Sequence, residues 1–161
     1  MAAHFLLKGS PRNVSWSLVD MVRRRSPLLA GKPRSWMLWG VNPRFKWVLE
    51  ALPGSTVFLY VTRGPGVEGG LALYGTAREV VDLSEPYWPE GSWPAAFYLE
   101  VRAAVPGALE RPGDPASWRL VARERLREVG VPVLPGPQRL GEREAEALKR
   151  LIEERCRAQV R

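Results

Sequence analysis

The chain has a single cysteine, Cys156, and a single histidine, His4. A lone cysteine excludes an internal disulfide and a cysteine-rich metal site, and it suits a reducing cytoplasm. His4 has no carboxylate or cysteine at ligand spacing, so neither a zinc site nor histidine acid–base catalysis is expected around it. No apolar run approaches the ~20 residues that cross a bilayer. The opening MAAHFLLKGSPR lacks a charged segment ahead of a long apolar stretch, so no secretory leader is expected either. Paired catalytic carboxylates are also missing, since Glu142–Glu146 and Glu153–Glu154 fall on one amphipathic helix pattern. The glycine-rich RGPGVEGG has neither the lysine nor the hydroxyl of a phosphate-binding loop. These absences lead to the expectation of a non-enzyme that needs no cofactor.

Lysine, asparagine and glutamine are scarce as well. Twenty arginines stand against four lysines, and the formal net charge is +7. Thermophilic or GC-rich composition is one reading of that bias. The other is a nucleic-acid partner, because the planar guanidinium matches phosphate oxygens and stacks on bases.

What is present is enough for one domain with its own core: 161 residues, 45% of them apolar. HFLLK reads as a first strand. Asn13 is placed to cap a helix carrying Val14, Leu18, Met21 and Val22 on one face, with Arg23, Arg24 and Arg25 at its end. A Pro/Gly-rich loop leads to a short strand over Trp36–Trp39. Asn42-Pro43 then opens a second helix, with Phe45, Val48, Leu49 and Leu52 inward and Pro53-Gly54 as its stop. STVFLYVT is the clearest strand, paired as a hairpin with Leu71–Val81. Ala95–Val105 is the next strand, and a helix is expected over Arg119–Val129. VPVLPGPQRL reads as extended, and Glu142 to about Ala158 as a final amphipathic helix. Strands adjacent in sequence are expected to pair antiparallel, giving an α+β fold with a curled sheet.

Tryptophan is the informative residue. Trp88 and Trp93 flank the insert PEGS in a loop, and Trp39 lies in SWMLWGVN. Each indole carries roughly 150–250 Å² of mostly apolar surface, which is costly to leave in a loop without a purpose. On a basic chain, indoles that stack on a nucleobase and cations that hold the backbone are a coherent pair of features. Trp16, Trp47 and Trp118 read as packing or surface residues.

Taken in order, these segments resemble a YTH domain, the PUA-related module that reads N6-methyladenine. FLLKGSPRNVS is similar to the family's opening strand, polar loop and helix entry. Trp39 followed by Asn42, Pro43 and Arg44 resembles its tryptophan-then-basic-helix segment. Trp88, four residues, Trp93 and an aromatic-led strand from Phe97 resemble its cage loop. The related EVE domain shares the flavour of WGVN. The strand after Trp93 departs from the YTH pattern, with Val101 where an inward tryptophan is usual.

The resemblance implies a PUA-like small open β-barrel of about six strands flanked by three to four helices over residues 1–141. Residues 142–161 would form a C-terminal helix packed on it, a candidate connector to a further domain. It also implies a base cage of Trp39, Trp88 and Trp93, base-edge contacts from Asn13, Ser10 and Gly40, and phosphate contacts from Lys8, Arg12 and Arg44. The partner would be RNA or DNA containing N6-methyladenine, bound by a monomer. Two alternatives stand beside it: an EVE-like reader of modified cytosine or another base, including the targeting part of a modification-dependent restriction system, and an RNA-processing or nuclease accessory protein without a cage.

Overall fold

The computed structural model describes residues 3–83, 85, 87–89 and 95–159. The strands are β1 (His4–Gly9), β2 (Trp36–Val41), β3 (Thr56–Val61), β4 (Gly70–Asp82), β5 (Ala95–Ala104) and β6 (Gln138–Leu140). The helices are α1 (Pro11–Arg23), α2 (Lys46–Ala51), α3 (Arg123–Glu128) and α4 (Glu142–Gln159). The six strands form one sheet in the order β2-β5-β4-β3-β1-β6.

Most neighbours are antiparallel, as expected, but β1 and β3 run parallel, with His4 opposite Thr56 and Gly9 opposite Val61. Parallel neighbours require a crossover. Here α1, β2 and α2 supply it, and they carry β2 to the far edge of the sheet.

The sheet curls because its long central strand is irregular. The β4–β5 register shifts between Tyr74 and Gly75 and again between Ala77 and Val80, and β3–β4 shifts between Leu59 and Tyr60. Each such bulge bends the strand and increases its twist. At the first one, a Cβ on Gly75 would stand 2.2 Å from the Glu100 carbonyl oxygen, so only glycine allows that approach. The inner face holds Phe5, Leu7, Leu59, Leu73 and Phe97, all buried. α1 packs against β2 and places Val14 and Leu18 in this core. On the other side α4 lies against β4 and β5, burying Leu148, Leu151 and Ile152. The result is an α+β fold built on one strongly curled, open sheet of six strands.

Three local expectations are corrected. The cap of α1 is Ser10, not Asn13: Ser10 Oγ accepts from the Asn13 backbone N–H at 3.2 Å, and Pro11 occupies the first turn. A serine ahead of proline combines a side-chain acceptor with a preset φ, a stronger start than an asparagine two residues inside. Val22, assigned to the buried face of that helix, is exposed. The helix expected over Arg119–Val129 is only α3, because Val121 exchanges backbone hydrogen bonds with Leu71 at 2.9 and 3.0 Å, which keeps that stretch extended.

The arginines ending α1 are not equivalent. Arg24 adopts a left-handed conformation (φ 54°) as C-cap and donates to the carbonyls of Leu29 and Lys32 at 3.3 and 2.9 Å. Arg23 and Arg25 are exposed.

Candidate functional site

A pocket of about 400 Å³ opens where the end of β1, the start of α1 and the outer edge of β2 converge. Lys8, Ser10, Asn13, Trp39, Gly40 and Trp88 all line it. Residues from three separate stretches of the sequence therefore meet at one place. Arg12 lies outside, on an adjoining groove. Arg44 is exposed in the 3-10 turn Pro43–Phe45 and does not line the pocket. Trp93 lies outside the described residues.

Trp39 and Trp88 touch each other. Their ring centroids are 4.4 Å apart with planes at 74°, an edge-to-face pair. They are 2% and 6% exposed. Rings in direct contact cannot sandwich a base between them. They make a corner, and a planar ligand would lie against the side of it that faces the pocket.

Trp88 is fixed from α1. Its Nε1–H donates to Ser17 Oγ at 2.8 Å. The Ser17 hydroxyl also reaches the Tyr87 phenol oxygen, and the Tyr87 hydroxyl donates to Asp20 Oδ2. Asp20 Oδ1 accepts the backbone N–H of Ser26 at 2.7 Å. Ser17 and Asp20 are three residues apart, so they share one helix face. Burial and the neighbouring carboxylate push the Tyr87 phenol well above its ordinary range, so it stays a proton donor.

Lys8 forms part of the wall. Its Nζ donates to the Gly136 carbonyl at 2.6 Å and to Gln138 Oε1 at 3.1 Å. Removal from water lowers its pKa from 10.5 to about 8. A positive charge kept in a partly desolvated wall attracts an anion or a carbonyl oxygen more strongly than one in bulk solvent. Because β2 is an edge strand, alternate backbone groups along its free side, near Gly40 and Val41, have no strand partner among the described residues.

Nothing in the sequence signals Asn42, Phe45, Thr62, Gly136 and Pro137 as site residues, yet they also line the pocket. Asn42 Oδ1 accepts the Arg44 backbone N–H at 3.0 Å, so it builds the turn as well as the wall. Gly136 comes from the segment before β6 and packs near the Phe45 ring. No local pattern signals that approach. Of the other indoles, Trp118 is buried and donates to the Arg111 carbonyl at 2.8 Å. Trp47 is 47% exposed, with Arg139 above its ring at 6.0 Å.

Among the described residues, no three or more His, Cys, Asp or Glu side chains group to hold a metal ion. No described helix is long and apolar enough to cross a membrane.

No protein-family model matches the chain, and no curated protein matches it. Solved structures do match. The N-terminal domain of Thermococcus gammatolerans McrB bound to m5C DNA aligns with a TM-score of 0.53 at 12% identity, covering 94% of this chain and 98% of that one. Human THYN1 protein in complex with 5-methylcytosine-containing DNA aligns with a TM-score of 0.49 at 16% identity, again over 94% and 98%. At such identity the McrB likeness establishes a shared fold.

Proposed function

We propose that this protein binds DNA and reads a modified base, 5-methylcytosine, by taking the base out of its stack into the Trp39–Trp88 pocket. The observation that carries the reading is the convergence of both indoles with Ser10, Asn13, Gly40 and Lys8 around one pocket of about 400 Å³. The choice of base follows the McrB domain, which shares the fold and is bound to m5C DNA.

Extruding a base costs a few kcal/mol. Contact with an aromatic face returns roughly 1–3 kcal/mol. Backbone groups on the free edge of β2 are suited to the polar edge of the base, and Lys8 to its carbonyl oxygen. Arg12 and Arg44, neighbours in sequence of the lining residues, are suited to the phosphates. Burying one methyl contributes about 0.8 kcal/mol, or about fourfold in affinity, before any packing gain.

N6-methyladenine is the second reading. It is favoured by the meeting of Trp39, Trp88, Ser10, Asn13 and Gly40, the positions that the YTH resemblance assigns to that base. One experiment separates the two. Fluorescence-anisotropy titrations at fixed salt would use labelled DNA and RNA carrying 5-methylcytosine, N6-methyladenine or neither, as single strands and duplexes. The proposal expects 5-methylcytosine DNA to bind at least about fourfold tighter than plain DNA. A preference for N6-methyladenine instead would install the second reading. Equal affinity for all strands would reject both.

A further inference from the structure

Beside the pocket a shallow groove of about 770 Å³ runs along the outer face of α1, and Ser10 borders both. Arg12, Trp16, Arg25 and Arg63 line this groove, with Asp114 as the one acid among its lining residues. Trp16 is 47% exposed. Unlike Trp47, which carries Arg139 over its ring, Trp16 is covered by no other ring or cation among the described residues. Trp16 and Arg25 also border a second hollow of about 520 Å³, so the indole stands as a ridge open on two sides. An exposed indole flanked by guanidinium groups is the arrangement that stacks a base and neutralises its phosphates. Ser10 and Trp16 are six residues apart on one helix, about 9 Å along its axis. That separation is within reach of a nucleotide next to one held in the pocket.

We infer that this groove is a subsite for the nucleotide adjoining the captured base. Trp16 stacks its base, and Arg25 and Arg63, with Arg12, hold its phosphodiester. Among the described residues Arg63 has only an exposed ion pair with Glu68 at 3.5 Å to exchange for a phosphate. The inference rests on the modified-base reading and adds a contact that is blind to the modification.

The test uses the full chain and single-stranded DNA with one 5-methylcytosine or one cytosine, each with an intact or an abasic neighbour on either side. Trp16→Ala should weaken binding about tenfold to modified and plain strands alike, leaving their ratio unchanged. An abasic neighbour on one side should weaken the wild type by a similar factor and leave Trp16→Ala unaffected. Trp16→Phe should recover part of the loss, and Arg25→Ala should lower the salt dependence. Wild-type affinity in Trp16→Ala, with the modified-to-plain ratio intact, would overturn this inference and spare the pocket reading. A wild type that binds both strands equally would overturn the 5-methylcytosine reading itself.

Discussion

The Trp39 indole occupies the space that any side chain on Gly9 would need. A Cβ placed on Gly9 would stand 2.3 Å from Trp39 Cη2 and 2.6 Å from Cζ2. These residues lie on β2 and β1, with β5, β4 and β3 between them in the sheet. On a flat sheet, four strand spacings would separate them by about 19 Å. Their contact is therefore a direct measure of how far the sheet curls. Gly9→Ala should displace the indole, cost about 1–3 kcal/mol of stability and reduce oligonucleotide affinity. Denaturant midpoints and titrations measured on the same preparation check it; unchanged affinity would mean the position of Trp39 is irrelevant to binding.

Gly75 gives a contrast. The obstacle there is the Glu100 backbone carbonyl rather than a side chain that can rotate away. Gly75→Ala should thus cost more than Gly9→Ala, at or above the top of the ~1–3 kcal/mol range for overpacking. A smaller loss of stability than in Gly9→Ala would show that the bulge relaxes easily.

The Trp88 anchor depends on a hydrogen-bond relay from α1. Ser17→Ala removes the acceptor of the Trp88 Nε1–H. Asp20→Asn places an amide donor against one of two groups, the Tyr87 hydroxyl and the Ser26 N–H, that both need an acceptor. Each should cost about 1–3 kcal/mol, or roughly 2–4 °C in Tm per kcal/mol for a chain of this size. The double variant should lose less than the sum, since the groups form one network. Strict additivity in calorimetry would separate them.

Lys8 predicts two pH effects of opposite sign. Its folded pKa, about 8, lies below the ordinary 10.5. Below about 8 both states hold the proton and the cost of burying the charge is present in full. Between about 8 and 10.5 the unfolded chain holds more protons, so the Lys8 contribution to stability rises with pH. Affinity for DNA should fall over the same interval as the ammonium is lost. Urea midpoints and titrations from pH 7 to 10, on wild type and Lys8→Met, decide it. Parallel curves for the two proteins would sink the assignment.

Much of the fold was legible in the sequence because hydrophobic period and punctuation are local signals. STVFLYVT, the hairpin to β4 and the α4 pattern depend on residues a few positions apart, and each formed as read. The parallel pairing of β1 with β3 and the extended pairing of Val121 with Leu71 were not legible. Both are long-range choices that the curled sheet makes, and they override local preference. The site divides in the same way. Lys8, Ser10, Asn13, Trp39, Gly40 and Trp88 are singled out through the resemblance to the YTH pattern. Phe45 beside Gly136, and Lys8 bonded to the Gly136 carbonyl, join segments that share no sequence pattern.

By itself, then, the sequence determined the supply of parts: a basic, arginine-rich surface, apolar strands and helices of the right length, and indoles near polar loops. Only the tertiary structure decided that Trp39 and Trp88 meet edge to face as a corner instead of standing apart as walls. The physical reason is that ring orientation follows from sheet curvature, a glycine on a distant strand and the hydrogen bond that Trp88 donates to Ser17 of α1. None of these acts between neighbours in the chain.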